Sequence, residues 1–199
     1  MKTGFTYWHP VIYRSIMHIL YGSGFYSRYE AILDLLPEGA DVIDVCCGDC
    51  YIDRFLAKKN INYLGLDLNS RFIEHALKKG IKARLFNIEN STVPRAEYII
   101  MQGSLYQFMP RYRLIIDKLI FAADKAVIIS EPITNVASCK NSMTAYLAML
   151  ATRVNGNNFF NRFTKEGLLD LFREYNVSLV REIKGGKDLI GLFKKGDKR

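Results

Sequence analysis

The 199-residue chain is 49% hydrophobic and 24% charged, enough apolar mass for a buried core, which excludes a disordered tail or a disulfide-stapled miniprotein. Its 28 Lys and Arg against 20 Asp and Glu leave a net charge of +8, a balance that favours phosphorylated or carboxylated partners, nucleic acid included. No uncharged apolar run reaches the roughly 20 residues of a bilayer span and no signal-peptide pattern opens the chain, so a cytoplasmic protein with no membrane span is expected.

In chain order, the first thirty residues hold Phe5, Tyr7, Trp8, Tyr13, Tyr21, Phe25, Tyr26 and Tyr29. Two helices, about Val11 to Leu20 and Phe25 to Leu36, fit the spacing of Ile12, Ile16, Ile19 and Leu20 and of Tyr29, Ile32, Leu33 and Leu36. Residues 1–36 are expected either to pack on a sheet or to form a lid over a ligand cleft. Strands then read at Asp41 to Cys46, Ile61 to Leu66, Lys82 to Phe86, Glu97 to Met101 and Ala126 to Ser130. Helices read between them at Tyr51 to Lys58, at Ser70 to Lys79 with Ser70 as cap, and at Arg111 to Asp124; the crossover from Asn87 to Ala96 is too polar and short for one.

After the fifth strand, Asn141 to Val154 forms an apolar helix, Asn155-Gly156-Asn157-Asn158 breaks it, and Thr164 caps a helix ending near Tyr175. Val177 to Lys184 and Asp188 to Lys194 flank Gly185-Gly186-Lys187 as a hairpin. The expected class is therefore α/β: a doubly wound, mostly parallel seven-stranded sheet ending in an antiparallel hairpin. With no repeat or low-complexity linker, residues 1–199 read as one domain with its core over 41–194 and a substrate-side segment over 133–163.

Asp44 stands inside the first apolar strand, where a carboxylate is costly unless hydrogen-bonded or placed at a strand end near polar groups. Gly48, in the turn that follows, lets the backbone approach a ligand closely. Ligands of a doubly wound sheet sit outside the carboxyl ends of the strands, so this turn faces the crevice. Asp67 ends the next strand, at about the spacing that brings an acidic residue to the hydroxyls of a ribose. Its ordinary alternative is to cap the helix that begins near Ser70.

Val42-Ile43-Asp44-Val45-Cys46-Cys47-Gly48-Asp49 and Gly65-Leu66-Asp67-Leu68-Asn69 together resemble the first motif and the acidic ribose motif of class I S-adenosylmethionine-dependent methyltransferases, a Rossmann-like family. Phe86-Asn87-Ile88, at the family's adenine position, and Tyr98 to Leu105, where its fourth strand ends beside the methionine portion, are weaker matches. The resemblance implies S-adenosyl-L-methionine as cofactor, bound by Asp44, Cys46, Gly48, Asp67, Leu68, Asn87, Ile88 and Gln102, with Arg28 suited to the donor's carboxylate. The ordinary reading of Arg28 is a surface ion pair with Glu30 or another acid. Cys46 and Cys50 stand where the family usually has Gly, and Asn87 where it usually has Asp. No Asn-Pro-Pro-Tyr follows the fourth strand, so methylation of DNA-base or glutamine amino groups loses support.

Glu131, in Ser130-Glu131-Pro132, and Tyr106 are the candidate catalytic groups, with a loop-satisfying carboxylate as the alternative for Glu131. Between Glu131 and Glu166 stand Lys140, Arg153, Arg162 and Lys165 with no acidic residue, so Arg153 and Arg162 are expected to hold an anionic acceptor or else to form a solvated face. The function expected is methyl transfer to a small molecule carrying a carboxylate or phosphate. The alternatives are an RNA methyltransferase, a non-catalytic adenosylmethionine-binding protein and, least supported, a thiol redox protein built on Cys47-Gly48-Asp49-Cys50. Cys46, Cys47 and Cys50 crowd together while Cys139 stands alone, which suits a reducing compartment, and no second Cys or His pair completes a zinc site. The Tyr51 that occupies the third glycine position of a dinucleotide loop disfavours a nicotinamide cofactor.

Overall fold

The computed structural model describes residues 14, 15, 17, 18, 22, 24–133, 163–183 and 187–196. Seven strands lie in the order β3-β2-β1-β4-β5-β7-β6: β1 Asp41–Val45, β2 Asn62–Asp67, β3 Ala83–Leu85, β4 Ala96–Gln102, β5 Ala123–Pro132, β6 Leu179–Glu182 and β7 Asp188–Lys194. The first five run parallel, and β7 pairs antiparallel with both β5 and β6. This is the doubly wound sheet with a C-terminal antiparallel pair expected from the sequence.

Both faces are apolar because successive strand residues point to opposite sides. Ile43, Val45, Ile99, Met101, Val127 and Ile129 belong to one core, with Ile115, Ile116 and Leu119 of helix α4 (Tyr112–Ala122) and Leu168, Leu171 and Phe172 of helix α5 (Lys165–Glu174). Val42, Ile100, Ile128 and Ile190 belong to the other, with Phe25, Tyr29 and Ile32 of helix α1 (Gly24–Leu33) and Phe55 and Leu56 of helix α2 (Asp53–Leu56). Ala76 of helix α3 (Ser70–Lys78) joins this second core.

Helix ends differ from the sequence reading for local reasons. Helix α1 stops before Leu36, with Leu36 N–H bonding Leu33 O at 3.2 Å in a tightened last turn, because Leu36 precedes Pro37 and is steered out of the helical region. Helix α3 is capped by Asn69, not Ser70: Asn69 is extended and its side chain accepts from Arg71 N–H. Thr164 caps α5 as expected, accepting from Gly167 N–H at 3.0 Å. The helices expected over Val11 to Leu20 and Asn141 to Val154 fall largely or wholly outside the described residues, as do Arg153, Arg162 and the turn of the final hairpin.

Candidate active site

The strand order reverses between β1 and β4, which are neighbours although β2 and β3 intervene in sequence. Crossovers leave this point in opposite directions and open a crevice at the carboxyl ends of the strands. The loop that enters it, Cys46 to Cys50, is tied to β2. Cys46 and Cys47 N–H both donate to Leu66 O, at 2.7 and 3.1 Å, and Gly48 N–H donates to Asp67 Oδ2 at 2.8 Å. Cys46, Gly48 and Cys50 all have left-handed backbones, with φ of 62°, 56° and 54°. Glycine meets that need without cost, whereas each cysteine carries a Cβ strain on the order of 1 kcal/mol. The bare Gly65 beneath them leaves room for sulfur: a Cβ there would lie 2.7 Å from Cys50 Sγ and 2.9 Å from Cys47 Sγ.

Asp67 is the hinge between this loop and the next helix. Besides Gly48, its Oδ1 accepts from Asn69 N–H at 2.8 Å, so the ribose-motif carboxylate also orders the start of α3. Burial raises its pKa, and the amides of Asn69 and Gly48 oppose the rise. The residue is still partly exposed, and each oxygen keeps a further lone pair for a hydroxyl donor.

Asp44 and Gln102 lie on the α1 side of the sheet, with the same parity as Val42 and Ile100. Tyr63 Oη donates to Asp44 Oδ2 at 3.0 Å, while Asp44 Oδ1 and Gln102 Nε2 are buried without a partner among the described residues. Burial first, helped by the charges of Asp67 and Asp49 and opposed by the Tyr63 hydrogen bond, raises the Asp44 carboxyl to about 8. Arg28 descends from α1 into the same pocket. It is 3% exposed, and the acid it faces is Asp188 at the start of β7, with Nε 3.6 Å from Oδ2, so the ion pair is a buried one and not a surface one. Gly103, with φ of 61°, gives the guanidinium space, since a Cβ there would approach Arg28 Nη2 to 3.3 Å.

The structure brings Arg28, Asp44, Cys46 and Gln102 around one pocket, with Gly48 and Asp67 hydrogen-bonded to each other in the adjoining loop. Leu68 is 41% exposed and Ile88 is buried, and Asn87 Oδ1 accepts from Glu89 N–H at 3.0 Å. Asp49, Tyr29, Tyr51 and Ile52 also line the pocket and were not among the site residues expected from the sequence. Asp49 is 5% exposed and receives Arg14 Nη2 and Nε at 2.5 and 2.9 Å, with the guanidinium 4.5 Å over the Tyr51 ring. The aromatic clustering of the N-terminal segment was the available signal for Tyr29, and for Tyr51 it was its place directly after the motif loop.

Glu131 is placed differently from a base. It is fully buried, its Oε1 accepts from Ser104 and Leu105 N–H at 2.7 Å each, and Tyr106 N–H reaches Oε2 at 3.4 Å. The carboxylate is thus spent on the turn after β4, the loop-satisfying alternative. Tyr106 is buried in the α4-side core. The Cys47–Cys50 pair fits redox catalysis poorly: burial pushes the Cys47 thiol well above its usual range, which keeps it protonated and weakly nucleophilic. Among the described residues no cluster is arranged to hold a metal ion, and no helix is long and apolar enough to cross a membrane.

No curated protein matches the chain. Among solved structures, a chain from the complex of the Haloferax volcanii Trm112 methyltransferase activator is similar at 10% identity and a TM-score of 0.72, covering 98% of this chain and 99% of that one. Magnesium protoporphyrin IX methyltransferase (ChlM) from Synechocystis PCC 6803, with bound SAH, is similar at 12% identity and a TM-score of 0.66, covering 87% and 84%. A TehB-like SAM-dependent methyltransferase from Corynebacterium glutamicum follows at 14% identity and a TM-score of 0.57, covering 84% and 86%. Residues 27–162, well over half of the chain, match the family described as methionine biosynthesis protein MetW. The fold is that of the class I S-adenosylmethionine-dependent methyltransferases, and within it the chain belongs to the MetW family.

Proposed function

We propose that this chain transfers a methyl group from S-adenosyl-L-methionine to a small-molecule acceptor bearing a carboxylate or phosphate. One observation carries the reading: a buried guanidinium, Arg28, shares a pocket with two buried polar atoms that have no hydrogen-bond partner among the described residues, Asp44 Oδ1 and Gln102 Nε2. A zwitterionic amino-acid group matches this lining: its ammonium meets the Asp44 carboxyl, and its carboxylate meets the Arg28 guanidinium beside Asp188. Asp67 then takes the ribose hydroxyls, the Gly48 and Cys46 backbone lies against the ligand, and Leu68, Asn87 and Ile88 flank the adenine. When bound, the cofactor supplies a methyl group already activated by its sulfonium charge.

This chain's own contribution is positioning and exclusion of water. Glu131 acts by holding Ser104 to Tyr106 in place, and Tyr106 packs behind that turn. Arg14, reaching Asp49 from the N-terminal segment, supports residues 1–36 as the cover of the pocket. Arg153 and Arg162, in the segment 133–163, are assigned to the acceptor's anionic group. The family's description as a methionine biosynthesis protein accords with a metabolite acceptor.

Calorimetric titration with S-adenosylmethionine and S-adenosylhomocysteine, followed by incubation of the methyl-labelled donor with a pool of small anionic metabolites and with RNA, tests the proposal. Saturable binding and label in a small anionic product are expected. Absence of binding refutes the reading; label confined to RNA assigns the RNA alternative; binding without turnover on either pool assigns a donor-binding protein.

A further inference from the structure

Cys47 and Cys50 are the feature of this loop that methyl transfer does not use. Their sulfurs lie 3.3 Å apart, with Cys50 Sγ donating to Cys47 Sγ, and both are free thiols. The chain brings them together by a turn closed from Cys50 N–H to Cys47 O at 3.1 Å, and the missing side chain of Gly65 provides the space they occupy. Their exposures differ. Cys47 is partly exposed and lines the ligand pocket, whereas Cys50 is fully buried. Cys46 packs against the core on the opposite face of the sheet from Cys47 and does not compete for the bridge.

We propose that Cys47 and Cys50 form a reversible modification site, a dithiol that a small-molecule disulfide oxidises to an intramolecular disulfide. Cys47 Sγ, after losing its proton to water, attacks one sulfur of the small disulfide; the other sulfur leaves and is protonated as a thiol. Cys50 Sγ then attacks Cys47 Sγ, expelling the second small thiol. Two electrons pass from the protein pair to the oxidant, one disulfide forms and one is reduced. Cys47, the partly exposed residue of the pair, meets the oxidant first, and Cys50, buried behind it, is the resolving thiol. Because burial holds Cys47 protonated, the reaction is slow at neutral pH, which suits a response to sustained oxidation rather than a turnover catalyst. Gly48, between the two cysteines, holds Asp67 through its N–H. Resting on the methyl-donor reading above, closing the bridge therefore distorts the donor loop.

The test treats a Cys139→Ser protein with oxidised glutathione across a pH series, denatures it, alkylates the remaining thiols and maps the peptides. Loss of two alkylation sites, mapped to Cys47 and Cys50 and restored by dithiothreitol, is expected, at a rate rising about tenfold per pH unit below the thiol's pKa. Adding Cys50→Gly strands the glutathione on Cys47 as a mixed disulfide, and adding Cys47→Ser leaves Cys50 unmodified. Full alkylation after oxidation, a bridge through Cys46, or modification of Cys50 without Cys47 overturns the proposal. S-adenosylhomocysteine affinity falls about tenfold or more on oxidation, the scale of one lost charge-assisted hydrogen bond. An unchanged affinity removes the coupling to the donor loop. If the reduced protein binds no adenosyl ligand at all, the donor reading falls, while the alkylation pattern still decides the modification site.

Discussion

Replacing Asp67 by alanine separates the donor reading from a purely structural one. The carboxylate accepts two backbone N–H groups, from Gly48 and Asn69, each at 2.8 Å, and the donor reading adds the ribose hydroxyls on its remaining lone pairs. A hydrogen bond to a charged group contributes about 1.5–3 kcal/mol. Loss of the ribose contacts should therefore weaken S-adenosylhomocysteine by about 10- to 150-fold. Loss of the two amide contacts also loosens the loop and the start of α3, lowering the melting temperature, with the residue's partial exposure reducing that cost. Calorimetric titration and thermal unfolding on the same preparation measure the two effects independently. Asp67→Asn keeps one acceptor oxygen but sets its NH2 against the other backbone N–H, so it should recover only part of the melting temperature and little of the affinity. A folded Asp67→Ala protein that binds S-adenosylhomocysteine like the wild type would show that the carboxylate serves α3 and the loop alone.

Asp44 holds its proton to about pH 8 in the folded chain but loses it near 4 when unfolded, so stability falls as pH rises between those values, and Asp44→Asn should abolish that slope in melting curves. On the same ground, binding of the cofactor's ammonium group should expel the proton, read at pH 7 as a calorimetric enthalpy that varies with the ionisation enthalpy of the buffer; no variation refutes the Asp44 role. Glu131→Ala leaves buried amides at Ser104 and Leu105 without an acceptor and should cost roughly 3 kcal/mol or more of stability in denaturant unfolding; a fully stable variant with lost turnover would restore the base. Arg153→Gln with Arg162→Gln should raise the acceptor's Michaelis constant and flatten its salt dependence in steady-state assays, with donor affinity unchanged.

The sheet was legible because its strands carry apolar residues on both parities, which marks strands covered on two faces. Strand β7 was read to its observed ends, Asp188 and Lys194. Asp44 and Asp67 were legible as carboxylates at strand ends. Glu131 was misplaced although parity held the answer: it shares its face with Val127 and Ile129, toward α4, whereas Asp44 and Gln102 share theirs with Val42 and Ile100, toward α1. The cap of α3 was missed by one residue because Asn69 and Ser70 are both good caps, and what selects Asn69 is the N–H it gives to Asp67 two residues earlier. Arg28 could not be followed to Asp188, since nothing local links the first helix to the last strand.

That link sets the order in which the molecule can be completed. Arg28 and Asp188 lie nearly a full chain length apart, yet both are almost wholly buried and within ion-pair distance. During synthesis the first helix and the motif loop emerge early, while the carboxylate that neutralises Arg28 arrives with the strand that slots between β5 and β6. Long-range contacts of this kind carry their entropic cost before they are rewarded and so form late. The Arg28–Asp188 pair cannot close until β7 has been made, and a chain cut short before β7 would lack the carboxylate that faces the buried guanidinium.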